Sequence, residues 1–172
     1  GLTPLEGLVM GTRCGTIDPA IVPFIMKNKN LTPEEMDTLM NKKSGLLGLC
    51  GLSDMRDLHA ARDKGDKKAD LAFRMLIHSI RKTLGAYFFL LDGKVDAVTF
   101  TAGIGEHDEL VREDVVKNLE SVGLVLDKEA NLKRASGART ISAPESKVKI
   151  LVIPTNEELQ IAQVAQELVS KK

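Results

Sequence analysis

Residues 95–106 read VDAVTFTAGIGE, and the fold turns on this stretch. From Ala97 to Ala102 the chain alternates, with Val98, Phe100 and Ala102 on one face and Ala97, Thr99 and Thr101 on the other. β-Branched and aromatic residues at period two predict a pleated, buried strand. Gly103, Ile104, Gly105 and Glu106 follow, and a helical pattern begins at Asp108. A strand that runs through two glycines into a helix start lets a nucleotide approach the backbone. Glycine has no Cβ to hold the ligand off, and the N–H groups of a first helical turn face outward. Taken alone the pattern is weak. Gly-x-Gly after a strand is more often only a tight βα turn, and Asp108 stands where a dinucleotide fingerprint needs its third glycine.

Downstream, Lys147–Ile153 (KVKILVI) reads as a second strand, continuously apolar from Ile150 as in a parallel sheet buried on both faces. Pro154 stops it, and Thr155-Asn156-Glu157-Glu158 opens a last helix. Strand, helix, strand, helix predicts parallel βα units. Two strands make a marginal sheet, so partner strands are expected upstream of this chain. Between the two strands, Asp108–Val122 reads as one amphipathic helix with Val111, Val115, Leu119 and Val122 inward. Leu124–Leu126 and Arg139–Ser142 read as short strands.

Upstream, Asp66–Leu91 is the longest element. Ala72, Leu76, Ile80, Leu84, Tyr87 and Leu91 recur at three- and four-residue steps. Its end (AYFFLL) is apolar nearly all round and is expected to be covered or to form a subunit contact. Thr32, Pro33 and Glu35 announce a capping box for a helix over Leu31–Asn41, with Met36, Leu39 and Met40 inward. Asp18-Pro19 starts a helix to about Met26, which Pro23, about a turn further in, should leave short, kinked or irregular. Ser44–Leu52 (SGLLGLCGL) reads as a glycine-punctuated apolar loop, and Gly1–Gly15 as loop with a helical turn.

The 172 residues suffice for a domain with a real core, and 43% hydrophobic content is ordinary for a globular protein. Aromatics are only 3%, so aliphatic side chains must build that core. Lysine plus arginine and aspartate plus glutamate both number 24, and this balance argues against nucleic acid or an anionic membrane as partner. No long uncharged apolar stretch predicts a spanning helix. Cys14 and Cys50 lack metal-ligand spacing and read as reduced thiols of a cytoplasmic protein. The opening GLTPLEGL reads as the middle of a longer polypeptide.

In an open α/β sheet, ligands bind beyond the carboxyl ends of the strands. If the two strands are neighbours, Gly103–Glu106 and Thr155–Glu158 share one crevice. With Thr155 as N-cap, Glu158 falls at N3 and closes a capping box, while Glu157 is left facing the crevice mouth. A carboxylate there suits Mg²⁺, although a second dipole-compensating acid is the commoner use of such a residue. Arg13, on a glycine-flanked loop, can reach into a cleft, but a surface arginine is the usual finding. Asp54 and Arg56 either rim a pocket or pair locally and shape a turn.

Three separated motifs, GLTPLEGLVMGTRCG (residues 1–15), FTAGIGE with its preceding DAV (96–106) and VIPTNEE (152–158), resemble the acetate kinase family in order and separation. That family belongs to the actin and sugar-kinase superfamily, whose two ribonuclease-H-like domains close over ATP. The resemblance implies an α/β fold: a partial ribonuclease-H-like C-terminal domain, helix-rich with a small, mainly parallel sheet. Residues 1–172 would be the C-terminal portion, without the N-terminal domain and the first strands of the C-terminal one.

By the same resemblance, Arg13 is the arginine that stabilises the transferring phosphoryl group, and Glu157 is the Mg²⁺-associated glutamate. Gly103, Ile104, Gly105, Glu106 and His107 form the loop receiving the adenosine, with His107 where the family usually carries Asn. Asp54, Met55 and Arg56 form a second nucleotide-contacting segment. The implied substrates are acetate and ATP (or acetyl phosphate and ADP), with Mg²⁺ or alternatively Mn²⁺, in a homodimer joined through its C-terminal domains. A propionate or butyrate kinase of the same family, and a non-catalytic nucleotide-binding or dimerisation module, remain alternatives. The isolated chain is expected to be inactive.

Overall fold

A computed structural model describes residues 1–170, which separate into two units, Gly1–Gly93 and the residues from Lys94 on. The first unit is helical. Helix α1 spans Ile21–Lys29, two residues later than the sequence suggests. Asp18 bonds the Ala20 N–H instead of capping the helix, so Pro23 falls inside the first turn. Its missing N–H has no intrahelical acceptor there, and no kink is required. Helix α2 (Pro33–Lys42) begins with the expected capping box between Thr32 and Glu35 and buries Met36.

The segment expected to be a glycine-rich loop contains a helix, α3 (Gly45–Cys50). Helix α4 (Met55–Asp63) is capped by Asp54. The 24-residue α5 (Lys67–Leu90) is capped by Asp66 and is the spine that packs against α3 and α4. Ala69, Ala72, Phe73, Leu76 and Ile77 form its buried stripe, one residue wider per turn than a strict seam. Phe73 lies under the Arg62 guanidinium at 3.7 Å and meets the His59 ring edge-on. The apolar end of α5, expected to be covered or to form a subunit contact, is not covered within its own unit. Tyr87 and Leu91 are more than half exposed, and Phe89 and Leu90 more so.

The second unit is built on three strands. β1 (Ala97–Phe100) shows the expected alternation, with Val98 and Phe100 buried and Thr99 exposed. It pairs in parallel with β3 (Lys149–Val152), Val98 opposite Ile150 and Phe100 opposite Val152. The two-residue β2 (Arg139–Thr140) adds to the other edge of β3 in antiparallel sense, giving the order β1-β3-β2. Of the strand expected at Leu124–Leu126, a single bridge to Ser142 forms. β3 buries Ile150 and Val152 completely, but Leu151 is only half-buried and Ile153 is 39% exposed. It is therefore covered better on one face than the continuous apolar run implied.

Between β1 and β2 the chain forms α6 (Ala102–His107), α7 (Glu109–Val116), a 3₁₀ turn at Glu120–Val122 and α8 (Lys128–Leu132). The single long helix expected from Asp108 stops at Val116. Asn118 takes a left-handed φ of 59°, which ends the helical ladder, and Val122 is left 47% exposed. Val111, Val115, Val116, Leu124, Ile141, Val148, Ile150 and Val152 make the core of this unit. Helix α9 (Glu157–Ser170) follows β3 and buries none of its residues. No helix among the described residues is long and apolar enough to cross a membrane.

Candidate active site

In the first unit, Arg13 sits on a loop clamped between two helix ends. The last carbonyls of α2 accept from it: Met40 O from the Cys14 N–H at 2.9 Å, and Asn41 O from the Thr12 hydroxyl at 3.0 Å. At the start of α3, the N–H groups of Ser44, Leu46 and Leu47 donate to the carbonyls of Thr12, Met10 and Gly11 at 2.8–3.0 Å. Helix termini carry N–H and C=O groups with no intrahelical partner, and here one loop satisfies both sets. Gly45 makes the approach possible. Its φ is +62°, and a Cβ would run into the carbonyl oxygens of Met10 and Arg13. The Ser44–Leu52 segment thus serves as a bracket for the Arg13 loop. The Arg13 side chain is exposed and edges a shallow hollow shared with Thr12, Asp37 and Asn41.

Gly11 of the same loop abuts Ser53, with the Ser53 carbonyl oxygen 3.1 Å from where a Cβ would stand. The Asp54 turn therefore borders the Arg13 loop. Asp54 caps α4 by accepting the Arg56 N–H at 2.8 Å, and its carboxylate also takes the Arg56 guanidinium, Nε at 3.0 Å and Nη2 at 2.6 Å. That guanidinium holds the Asp54 carboxyl down to about 2. The local pairing read as the plainer alternative is what forms, and Met55 is the half-buried first residue of α4. Cys14 and Cys50 are separate thiols, and burial pushes the Cys14 thiol up.

In the second unit, the parallel pairing of β1 and β3 sets their carboxyl ends side by side, as the shared crevice requires. Gly103 to His107 do not form an open loop there. They belong to α6, which Ala102 enters with a left-handed φ of 57°. Thr101, at the N-cap, makes no side-chain cap. Gly105 packs on the end of β1, since a Cβ would stand 3.2 Å from the Phe100 carbonyl carbon. Ile104 and His107 are exposed, and Gly105 and Glu106 half-buried.

The Glu106 carboxylate reaches the other loop. Its Oε1 accepts the Thr155 N–H at 2.9 Å and the Thr155 hydroxyl at 3.3 Å. This corrects the expected cap of the last helix. With its N–H and hydroxyl taken by Glu106, Thr155 stays outside α9, and Asn156 is the cap, its Oδ1 accepting the Leu159 N–H at 3.1 Å. Glu158 therefore falls at N2 and closes no capping box. Glu157 is the exposed first residue of α9, five residues after the end of β3.

One residue behind this turn was not read from the sequence. Arg112 of α7 is 2% exposed, and its guanidinium bonds the carbonyls of Gly105 and Glu106 and both oxygens of Asn131. Burial lowers its pKa most, the charge of Arg139 adds to this, and Glu109 and Asp108 oppose it. The available signal was helical spacing. Arg112 lies four residues after Asp108 and four before Val116, on the side of α7 that packs inward.

Among the described residues no group of three or more His, Cys, Asp and Glu side chains gathers to hold a metal. Glu157 offers one exposed carboxylate. That donor set suits Mg²⁺ arriving on phosphate oxygens, because this ion keeps several waters and takes only one or two protein carboxylates.

Comparison with known proteins places the chain. A model of the acetokinase family matches residues 1–163. An acetate kinase of Desulfovibrio desulfuricans is 64% identical over 171 residues, covering 99% of this chain and 42% of that protein. The crystal structure of Porphyromonas gingivalis acetate kinase superposes with a TM-score of 0.89 at 40% identity, over 98% of this chain and 42% of that one. A propionate kinase from Francisella tularensis superposes with a TM-score of 0.85 at 42% identity, over 95% and 41%. The chain thus spans about two fifths of the length of these relatives. With a helix-rich α/β architecture, a partial actin/sugar-kinase-like domain, and a family match over nearly its whole length, the chain belongs to the acetokinase family.

Proposed function

We propose that residues 1–172 are the C-terminal portion of a cytoplasmic kinase that makes acetyl phosphate and ADP from acetate and ATP, reversibly, and that they supply its nucleotide side. The observation that carries this reading is the junction at the ends of β1 and β3, where the glycine turn and the start of α9 lie side by side and Glu106 ties them together. Gly103, exposed and with open space where a Cβ would stand, lets a nucleotide approach the backbone at the start of the Gly103–His107 segment, and Asp54, Met55 and Arg56 are the second contacting segment. Glu157 holds Mg²⁺ delivered with the phosphates, and the ion supplies positive charge to the phosphate oxygens.

Transfer of a phosphoryl group needs in-line placement and positive charge on its equatorial oxygens more than covalent help. Arg13 fits that need. A guanidinium stays protonated and forks to two oxygens at once, which lysine cannot do. The bracketed backbone on either side of Arg13 limits the orientational freedom lost when it engages. The exposed apolar end of α5 (Tyr87, Phe89, Leu90) supports association of two copies.

A coupled assay for acetyl phosphate on the full-length protein tests the reading. Mg²⁺- and acetate-dependent ADP release is expected, and Glu157→Gln should raise the Mg²⁺ concentration needed for half-maximal rate. Nucleotide binding without turnover would leave a binding module instead. The similarity to a propionate kinase favours one second reading, a longer acyl substrate. Comparing kcat/KM for acetate, propionate and butyrate decides it.

A further inference from the structure

We propose that Arg112 is a positioning residue for the nucleotide turn, held in place by Asn131. The inference rests on the nucleotide role assigned above to Gly103–His107. A turn with two glycines and a left-handed alanine has little stiffness of its own, and the six-residue α6 is too short to be stable alone. Its shape must come from outside it.

Arg112 supplies that support from beneath. Nη1 donates to Gly105 O at 2.9 Å and to Glu106 O at 3.0 Å, two of the last carbonyls of α6, which have no N–H partner within the helix. A positive charge there also complements the partial negative charge of the helix end. The rest of the fork is anchored. Nε donates to Asn131 Oδ1 at 2.7 Å and Nη2 to Asn131 O at 2.9 Å. Asn131, itself 1% exposed, donates through Nδ2 to Glu109 O at 3.0 Å, closing the network back onto α7.

Burying a guanidinium is unfavourable unless its donors are satisfied, and a buried network acts as a unit only when every member is bonded. Glu106 is fixed twice as a result, at its carbonyl by Arg112 and at its carboxylate by Thr155. A lysine at 112 would bring charge but no planar fork, and could not span Gly105, Glu106 and Asn131 together.

The test uses the full-length enzyme with Arg112→Met, Arg112→Lys and Asn131→Ala. The readouts are kcat, the KM values for ATP and acetate, calorimetric Kd for Mg²⁺·ADP, and amide hydrogen exchange over residues 103–107. Arg112→Met is expected to raise the ATP KM and ADP Kd by about tenfold or more while the acetate KM stays within about twofold. Lysine should restore part of that loss, Asn131→Ala should show the same split to a smaller degree, and both should speed exchange in the turn. A folded Arg112→Met with unchanged ATP KM and ADP Kd overturns the inference, as does an equal rise in both KM values. If Arg112→Met does not fold, the same split in the other two variants decides. Absence of ADP binding by the wild-type enzyme would instead overturn the nucleotide reading on which the inference stands.

Discussion

The Glu106 carboxylate accepts the Thr155 backbone N–H at 2.9 Å across 49 residues of sequence, joining the turn after β1 to the segment after β3. A hydrogen bond with a charged acceptor is stronger than a neutral one, though partial exposure weakens it. Removing the acceptor with Glu106→Ala should lower stability by about 1 kcal/mol and loosen both loops. Glu106→Gln keeps an acceptor oxygen and should lose less. Urea unfolding and the ATP KM of the full-length variants check this. Alanine behaving as wild type in both would show that the clasp has no role.

Gly45 should tolerate no side chain. Its left-handed φ and the carbonyls of Met10 and Arg13 leave a Cβ no room, so Gly45→Ala must shift the Arg13 loop or the start of α3. Backbone strain and overpacking together suggest a loss of about 3 kcal/mol. Denaturant midpoints measure the loss, and kcat should fall with it because the displaced loop carries Arg13. A Gly45→Ala protein with normal stability and kcat would contradict the bracket.

Acid should weaken the Asp54–Arg56 turn in a defined window. Arg56 holds the folded-state carboxyl near 2, below its ordinary 3.8, so its stabilising contribution is present above the higher value. It is lost as pH falls from about 4 toward 2, when protons bind the unfolded chain first. The stability difference between wild type and Asp54→Asn should therefore be constant from neutral pH down to about 5 and then shrink. A difference that grows on acidification would reverse the sign and contradict the pairing.

Much of this was legible in the sequence, for reasons specific to each element. Short-range chemistry gave clear signals, as in the Thr32–Glu35 capping box and the Val98/Phe100 alternation of β1. Two strands, one ending in a glycine turn and the other in the polar Thr155–Glu158 segment, also pointed correctly to one another, because β1 and β3 pair in parallel. Long-range partners were hidden. Thr155 looks like an N-cap until a glutamate from another loop takes its N–H, and the cap moves to Asn156. Gly45 and Gly48 disguise α3, a helix whose first N–H groups are satisfied by a loop some 35 residues earlier. Arg112 went unread: its spacing from Asp108 and Val116 puts it on the inward side of α7, but nothing local announces that Asn131 is its partner. In the second half of α5 the pattern was read correctly as apolar, and of the two fates expected for it, cover or a subunit contact, the chain by itself supplies no cover.

Arg13 should be needed for turnover and dispensable for nucleotide binding. By analogy with arginines that stabilise a transferring phosphoryl group, Arg13→Ala in the full-length enzyme should lower kcat by about 10³–10⁵. The Kd for Mg²⁺·ATP should change little. Single-turnover kinetics with parallel calorimetry separate the two effects, and near-normal kcat would remove Arg13 from the chemistry.

The most direct measurement is a crystal structure of the full-length protein with Mg²⁺ and ADP. The adenosine is expected against Gly103–His107, with the phosphates and metal on the Glu157 side of the β1 and β3 ends. Nucleotide bound elsewhere, with the Glu106–Thr155 junction bare, would contradict the assignment of this chain as the nucleotide seat.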